Sequence, residues 1–592
     1  MSIAREIRSL TAAALQHLFG LDCRPEDLTI NQTKPEFEGD YTLVLFTLVK
    51  QLRKSPDQLG TALGDYLVNR YPDLLRGHNT IKGFLNLQVA DGYWIRFLEA
   101  QYGNTAFGRR EPNGRRVMVE YSSPNTNKPL HLGHLRNNFL GWSVAEIYRA
   151  CGYDVIKTCI ANDRGIHICK SMVAWQLFGQ GATPESTGIK GDHLVGDYYV
   201  RFGVELKKQV ADLVAGGLSA EEAEKQAPIM RQAQQMLVDW EAGKPEVLEL
   251  WRRMNSWVYA GFDQTYRRIG SEFDKTYYES DTYLLGKDWV RRGLEKSVFT
   301  QKEDGSVWID LTAEGLDEKI VQRRDGTAVY ITQDIGLVDL KQQEFHAEQS
   351  IYVVGDEQNY HFKVLKLICQ KLGLPAADGI QHLSYGMVEL PTGRMKTREG
   401  TVVDADDLVD EMVAIAARHT EELGKVGDFT PRELANLHET LGLGALKFFL
   451  LRVDPKKRMI FNPEESIDFH GFTGPFVQYT HARIRSILRK ESPAPGVLPD
   501  TEALLVPERN LLVLLEQYPD MVETACDEQN PSVLAIYAFN LAKTFNSFYT
   551  ELSVMQAETP QKKQLRLRLC ALTAGVIASA MHLLGIRVPE RM

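Results

Sequence analysis

The chain has 592 residues, which suggests about three or four domains. Its 68 Lys and Arg residues against 78 Asp and Glu residues give a net charge of −10. That balance argues against a protein that coats nucleic acid through bulk charge, although a local basic face is compatible with it. No apolar run approaches the ~18–20 residues of a membrane span, and the N-terminus lacks the pattern of a signal peptide. With seven scattered cysteines, we expect a cytoplasmic protein that makes no contact with membranes.

The first part of the chain alternates helical and strand-like patterns. The predicted elements are helices over 5–18, 42–52 and 56–68 and a strand over 81–89. A polar, basic stretch with Gly and Pro follows at 108–116 and is typical of a linker. The sequence therefore predicts a small α+β domain over residues 1–110.

The pattern changes after the linker. A short buried strand at 117–121, a helix at 137–151 and a second strand at 154–160 form a βαβ unit. The same signature returns as a strand at 350–354 followed by a helix at 360–372. These segments predict an open, parallel α/β sheet.

Two helical stretches complete the organisation. Residues 184–257 are helical and charged, and they lie between the two halves of the α/β pattern. This position is typical of an insertion in an open α/β sheet. From residue 471 onward the pattern is almost purely helical. We therefore expect an α/β domain over 116–470 that contains the insertion, and a helical domain over 471–592.

The turn after the first α/β strand contains the sequence HLGH, in which His131, Gly133 and His134 form an HxGH motif. Amides at a helix N-terminus attract phosphate, and Gly133 has no Cβ to obstruct a nucleotide. Two imidazoles three residues apart lie on one helical face, where they can donate hydrogen bonds to a phosphate in its transition state. Lys128 adds a positive charge just upstream. The motif alone is also compatible with two ordinary helix-start histidines.

A longer segment around this motif, EYSSPNTNKPLHLGHLR at 120–136, resembles the signature of arginyl-tRNA synthetases. These are class I aminoacyl-tRNA synthetases with a Rossmann-type core. Other segments resemble the same family: YITQD at 330–334, with Gln333 in place of Arg, VGDEQNYHF at 354–362, GPFVQYTHARIRSIL at 474–488 and LLGIRVPERM at 583–592. The resemblance implies an N-terminal α+β domain that contacts tRNA, a Rossmann-type catalytic core and a C-terminal all-helical anticodon-binding domain.

The resemblance also implies a reaction. An arginyl-tRNA synthetase activates L-arginine with ATP to arginyl-adenylate and transfers the arginyl group to the 3′ end of tRNA(Arg). Family members usually need tRNA for the first step. Mg²⁺ is expected to arrive with ATP, and no tightly bound protein metal is expected, because Cys159, His167 and Cys169 match no zinc-ligand spacing. We expect a monomer.

The family's arginine-binding positions correspond to Glu120, Asn125, Tyr330, Asp334 and Gln358. Two carboxylates, two amides and a phenol suit a guanidinium, which is planar, charged and rich in donors. By analogy Tyr330 and Asp334 face the guanidinium, and Asn125 and Gln358 hold the other end of the substrate. Taken alone, Tyr330 and Asp334 also fit a core tyrosine and a helix-capping aspartate.

By resemblance His131, His134 and Lys128 are the catalytic residues, and ATP binds His131, Gly133, His134, Met395, Lys396 and Arg398. The second signature of class I enzymes, the KMSKS loop, corresponds here to GRMKTREGTVV at 393–403. In it Glu399 stands where a lysine would meet the phosphates, and a carboxylate cannot stabilise negative charge. We hypothesise that Lys128 supplies the missing charge, with Lys396 as the alternative.

Contacts with tRNA are predicted at four residues. Tyr479 and Arg483 share a helical face and could stack on unpaired bases, whereas Asn546 and Met592 follow from the resemblance alone. The segment NDRGIHI at 162–168 is predicted to form a loop at the mouth of the site. Two other interpretations compete with a synthetase: a small HxGH nucleotidyltransferase, which would not need the outer domains, and a tRNA-binding paralogue without activity.

Overall fold

The computed structural model describes residues 2–34, 36–389, 391, 403–422, 427–496, 498–499 and 503–592. The N-terminal part consists of helices α1 (Ile3–Phe19), α2 (Phe46–Leu52), α3 (Pro56–Arg70) and α4 (Asp91–Gln101) and strands β1 (Ile30–Gln32), β2 (Tyr41–Val44), β3 (Leu75–Ile81) and β4 (Phe84–Val89). The strands form an antiparallel sheet in the order β1-β2-β4-β3, against which α3 packs.

One predicted helix of this part is wrong at its start. Residues 42–44 belong to β2 and pair with both β1 and β4, and the helix begins only at Phe46. The apolar pattern of TLV followed by FTLVKQL is compatible with both a helix and a strand. Residues 42–44 form a strand because they pair with two neighbouring strands.

The central part contains strands β5 (Arg116–Glu120), β6 (Asp154–Ala161), β7 (Lys275–Tyr278), β8 (Thr300–Gln301), β9 (Val307–Ile309), β10 (Lys319–Gln322), β11 (Gln349–Gly355), β12 (Ile380–Tyr385), β13 (Val388–Glu389) and β14 (Met459–Ile460). Five of them form a parallel sheet in the order β12-β11-β5-β6-β7. The chain runs outward from β5 on one side and returns at β11 on the other. The crevice at the carboxyl ends of β5 and β11 is therefore the topological switch point at which open α/β sheets bind ligands.

The central part also contains helices. They are α5 (Leu132–Ala150), α6 (Ile166–Phe178), α7 (Pro184–Thr187), α8 (Gly191–Ala215), α9 (Ala220–Gln226), α10 (Pro228–Glu241), α11 (Pro245–Ile269), α12 (Glu279–Thr282), α13 (Lys287–Glu295), α14 (Tyr330–Phe345), α15 (Asn359–Leu372), α16 (Ala405–Glu422), α17 (Pro431–Leu451) and α18 (Pro463–Ser466). The predicted insertion corresponds to α7–α11 and extends beyond residue 257, to the end of α11.

The C-terminal part is helical, as predicted, and consists of α19 (Gly474–Lys490), α20 (Val506–Glu516), α21 (Tyr518–Asp527), α22 (Ser532–Glu551) and α23 (Pro560–Leu583). It packs on both other parts. Ser143 of α5 donates to the carbonyl of Leu583 at 2.6 Å, and Arg568 of α23 pairs with Glu99 of α4. Within the described ranges, no helix combines the length and apolar character needed to cross a bilayer.

Candidate active site

The turn between β5 and α5 holds the HxGH motif at the switch point of the sheet. Ser122 in this turn has a φ of 59°, a left-handed conformation that is uncommon for a non-glycine residue. Two α5 side chains hold it: the Ser122 amide donates to Asn137 Oδ1 at 2.6 Å, and Asn138 Nδ2 donates to Ser122 Oγ at 3.0 Å. His131 is the N-cap residue of α5. The motif thus lies at a helix N-terminus beside the crevice, a combination that favours phosphate.

The two imidazoles have defined orientations. His131 Nδ1 accepts the amide of Gly133 at 3.1 Å, and His134 Nδ1 accepts the amide of His131 at 3.1 Å. The ring centres are 3.9 Å apart. Because Nδ1 is an acceptor in each ring, a neutral ring carries its proton on Nε2. Each histidine can therefore donate one hydrogen bond from Nε2.

The charge of this site is concentrated on one residue. Burial, and secondarily the charge of Lys128, lowers the pKa of His131 to about 3. Burial also lowers the pKa of His134 well below its usual range, with contributions from His131 and Lys128. Both rings are therefore neutral near pH 7, and Lys128 is the cation of the motif. The donors predicted from sequence are thus two neutral imidazoles beside one ammonium group.

A small pocket of about 230 Å³ opens beside the motif. Lys128 and His131 line one side of it, and His193 of α8 and Asp404, just before α16, line the other. The pocket joins three distant segments of sequence: the HxGH turn, the insertion and the start of α16.

A larger cleft of about 820 Å³ is lined by Ile160 near the end of β6 and by residues of α6, α10 and α14. Of the five residues predicted to bind arginine, Asn125, Tyr330 and Asp334 line it. Residues of the segment 162–168 line it as well, but the predicted loop is wrong at its end, because Ile166–Ile168 form the first turn of α6. Charged residues of both signs complete the wall: Arg164, Glu241, Glu279, Lys287, Arg323 and Asp334.

Tyr330 and Asp334 lie one turn apart at the start of α14. The Tyr330 side chain is 75% exposed, and its phenol is available to a ligand in the cleft. Asp334 Oδ2 is 2.6 Å from His361 Nε2, and its side chain remains 37% exposed. A half-exposed carboxylate oriented by a histidine is a suitable acceptor for a guanidinium.

The other two predicted residues lie elsewhere. Glu120, at the end of β5, is buried, and its carboxylate forms an ion pair with Lys341 and accepts from Thr158 Oγ1 at 3.5 Å. Gln358 is exposed in a 3-10 turn at Asp356–Gln358, after β11, and is not among the residues that line the cleft. The structure therefore brings three of the five residues together in the cleft, and the other two are not among its lining residues.

Lys341 is a residue that the sequence reasoning missed. Its ammonium is buried, pairs with Glu120, and lies 5.3 Å and 5.1 Å from the ring centres of Tyr277 and Tyr352. Positions 334 and 341 are seven residues apart in α14 and so share a helical face. That spacing was the available signal, although only the fold shows that Glu120 is its partner.

The described residues include one group with the composition of a metal site. Ligand atoms of Asp192, His193 and Asp406 lie within 4.8 Å of one another. The ammonium of Lys190 is 3.0 Å from Asp192 Oδ2 and 2.7 Å from Asp406 Oδ2. A lysine thus already provides the positive charge that these carboxylates require.

Three of the four predicted tRNA-binding residues form a cluster on the helical domain. Arg483 Nη1 donates to Asn546 Oδ1 at 2.5 Å, and its guanidinium lies 4.9 Å from the ring centre of Tyr479. The ring centre of Tyr549, which is 40% exposed, lies 5.7 Å from the same guanidinium. Met592 is half-buried at the end of the chain. The arrangement presents aromatic faces and a cation together, as base-stacking surfaces do.

The predicted ATP contacts at Met395, Lys396 and Arg398, together with Glu399, lie outside the described residues. The segment that follows them is described from Val403 and hydrogen-bonds to the HxGH turn: the amide of Leu132 donates to the carbonyl of Val403 at 3.2 Å.

A parallel sheet with HxGH at its switch point, followed by a helical domain that carries an aromatic and basic cluster, defines a class I aminoacyl-tRNA synthetase. Three family models match the chain. They describe an arginyl tRNA synthetase N-terminal domain at residues 5–89, the catalytic domain of class I (R) tRNA synthetases at 99–462, and a DALR anticodon-binding domain at 477–592.

Curated relatives and solved structures agree with these models. The chain is 51% identical to an arginine–tRNA ligase of Parabacteroides distasonis and 52% identical to one of Bacteroides fragilis, and each alignment covers 100% of both chains. The arginyl-tRNA synthetase of Thermus thermophilus has a similar structure, with a TM-score of 0.82 at 26% identity and full coverage of both chains. A Plasmodium falciparum arginyl-tRNA synthetase shares the fold, with a TM-score of 0.77 at 17% identity, over 100% of this chain and 99% of that one. The chain belongs to the arginyl-tRNA synthetase family.

Proposed function

We propose that the chain is an arginine–tRNA ligase that uses ATP to attach L-arginine to the 3′ end of tRNA(Arg) for protein synthesis. In the first step a carboxylate oxygen of arginine attacks the α-phosphorus of ATP and expels pyrophosphate, which leaves arginyl-adenylate. In the second step a hydroxyl of the terminal ribose of tRNA attacks the carbonyl carbon, loses its proton and expels AMP. No protein nucleophile is required, because positioning and charge stabilisation account for both steps.

The geometry of the two signature histidines is the observation that carries the proposal. Their Nδ1 atoms are occupied by backbone amides, so both Nε2–H groups are oriented as donors. Negative charge grows on the phosphate oxygens as the α-phosphorus is attacked, and fixed donors stabilise this charge without reorganising. Lys128 adds an ammonium group beside them, and burial lowers its pKa from the ordinary value.

Arginine would bind in the larger cleft. We propose that the Asp334 carboxylate and the Tyr330 phenol accept hydrogen bonds from the guanidinium, and that Asn125 holds the amino-acid end near the histidines. Glu120, at the end of β5 and ion-paired with Lys341, is proposed as a further member of the arginine-binding set. Gln358, at the rim of the switch point, completes the predicted set as a contact for the amino-acid end.

The cluster of Tyr479, Arg483 and Asn546, with Met592 at the chain end, is proposed to contact the anticodon loop of tRNA. Mg²⁺ would enter on the phosphates of ATP. We propose that the chain acts as a monomer, which sedimentation in solution tests. Because its substrates are tRNA and ATP, we propose a cytoplasmic location.

The decisive experiment is aminoacylation of total tRNA with radiolabelled arginine by the purified chain. We expect arginine to be incorporated, lysine to be rejected, and ATP–pyrophosphate exchange to depend on added tRNA. A chain that binds tRNA but incorporates no arginine would be the inactive paralogue and would refute the proposal. Exchange at full rate without tRNA would refute only the tRNA dependence.

A further inference from the structure

The HxGH turn is paired along its backbone with a distant segment. The amide of Ala405 donates to the carbonyl of Leu130 at 3.0 Å, and the amide of Leu132 donates to the carbonyl of Val403 at 3.2 Å. Between these two bonds His131 and Asp404 face each other as an antiparallel bridge. The backbone position of His131 therefore depends on where residues 403–405 lie.

The carboxylates of Asp404 and Asp406 connect residues 403–406 to the insertion. Asp404 Oδ1 accepts the amides of Asp406 and Asp407 at 2.7 Å and 3.2 Å and so caps the start of α16. Asp404 Oδ2 and Asp406 Oδ2 each lie 3.3 Å from His193 Nε2. One imidazole of the insertion thus contacts both carboxylates.

Lys190 forms the second attachment. Its ammonium, at the N-cap of α8, donates to Asp406 Oδ2 at 2.7 Å, to Asp192 Oδ2 at 3.0 Å and to Thr265 Oγ1 of α11 at 2.6 Å. Thr265 in turn donates to Asp406 at 3.0 Å. All three N–H groups of the ammonium are therefore used.

The helices that carry these groups are closely packed. Asp192 is fully buried, and a Cβ added at Gly261 of α11 would lie 2.2 Å from Asp192 Oδ1. The contact between α8 and α11 is thus tight enough to fix Lys190.

We propose that Lys190 and His193 are positioning residues that tie the insertion to residues 403–406 and thereby hold His131 in its catalytic position. The inference rests on the proposed function, because it assigns the insertion a role in arginine activation. It also explains why His193 and Asp404 line the same small pocket as Lys128 and His131. Neither residue takes part in bond formation or bond cleavage.

The charges around the cluster support this role. Lys190 faces Asp192 and Asp406, and His193 faces Asp404 and Asp406, with Asp192 and Lys190 nearby. The hydrogen bond to Asp406 raises the pKa of His193, whereas the hydrogen bonds from His193 and Lys190 hold the pKa of Asp406 below its usual range. Both shifts favour the ion-paired form.

The test compares Lys190→Met with a matched control, Lys225→Met, which removes an exposed lysine of the same insertion that pairs with Glu221 within one helix. We expect K190M to lower kcat for aminoacylation about a hundredfold, as a small misplacement of a catalytic group does, with the KM for arginine changed less than about threefold. K225M should match wild type. His193→Gln, which keeps a donor, should retain more activity than His193→Ala.

Hydrogen exchange provides a readout that does not depend on catalysis. The backbone amides of peptides covering 128–136 and 403–410 should exchange faster in K190M than in wild type. In K225M their exchange rates should equal those of wild type. Wild-type exchange in both peptides with wild-type kcat would overturn the positioning role. A uniform loss of thermal stability with every KM raised and kcat unchanged would also overturn it, since that describes a structural defect. If wild type and K225M fail to charge tRNA, the proposed function has failed, and hydrogen exchange still decides the positioning role.

Discussion

His131 and His134 each receive a backbone amide at Nδ1, and this local arrangement determines their chemistry. The environment that lowers the pKa of His131 to about 3 keeps the ring neutral throughout the physiological range. A neutral imidazole still donates from Nε2, so catalysis by these residues needs no change of protonation.

The first prediction concerns pH. Because a lowered histidine pKa leaves the neutral form populated above about 3, titration of His131 should produce no change in the activation rate between pH 5.5 and 8. His131→Ala should lower the rate by about 10²–10³-fold at every pH in this range, as loss of a transition-state donor does. The measurement is tRNA-dependent ATP–pyrophosphate exchange. A midpoint near 6.5 that disappears in H131A would contradict the assignment of neutral rings.

The second prediction concerns the cation of the site. Lys128→Ala should reduce the exchange rate about a hundredfold, because Glu399 supplies no positive charge for the phosphates. Lys396→Ala should change it less than about threefold. A near-normal rate in K128A together with an abolished rate in K396A would transfer the role to Lys396.

The third prediction concerns the arginine cleft. Asp334→Asn removes the negative charge but keeps the shape, so the KM for arginine should rise about 10- to 100-fold with little change in the KM for ATP. Asp339→Asn, on the same helix but outside the cleft lining, is the control and should leave both constants near wild type. Equal increases in both KM values for D334N would indicate a general disturbance instead.

At the level of elements, the packing of the N-terminal part on α20 depends on a buried carboxyl group. Glu516 accepts the amide of Ile3 at 2.6 Å and the hydroxyl of Tyr41 at 3.1 Å. Burial raises its pKa from 4.5 to about 7. The folded protein therefore keeps a proton that the unfolded chain releases between these two values.

The fourth prediction follows from this proton. The contribution of Glu516 to the free energy of unfolding is fully present below about 4.5 and is lost as pH rises through about 7. Glu516→Gln removes the titration, so at pH 8 it should relieve up to about 3 kcal/mol of destabilisation and flatten the dependence of Tm on pH. Thermal unfolding of the full chain at pH 5.5 and 8 measures this effect. Glu528→Gln, an exposed control just after α21, should keep the wild-type slope, and a wild-type slope in E516Q would refute the assignment.

At the scale of the whole molecule, a net charge of −10 coexists with a polyanionic partner. The two are compatible if binding uses a shaped surface with localised cations, such as the cluster around Arg483, while the acidic remainder limits non-specific binding.

The fifth prediction tests this balance through salt. The KM for tRNA should rise steeply between about 50 and 200 mM salt, because each phosphate contact releases counterions. Arg483→Ala should raise the KM for tRNA and make its salt dependence less steep, with the KM for ATP unchanged. A KM for tRNA that does not respond to salt would show that phosphate contacts contribute little.

The sequence by itself determined the α/β core, the helical C-terminal part and the HxGH turn, since periodicity and local motifs depend on neighbours a few residues apart. It also indicated Asn125, Tyr330 and Asp334, which the fold gathers around one cleft. It misassigned residues 42–44, whose strand depends on pairing with β1 and β4.

Only the tertiary structure decided the long-range partners. Lys341 pairs with Glu120 across 221 residues, and Lys190 meets Asp406 across 216 residues. Neither pair has a signal in local sequence, because each forms where separate elements of the fold meet. The protonation of His131 is likewise a property of burial, which no spacing reveals. Local motifs can therefore be predicted from the sequence. The long-range partners of their residues, and the protonation states of those residues, depend on how the chain packs.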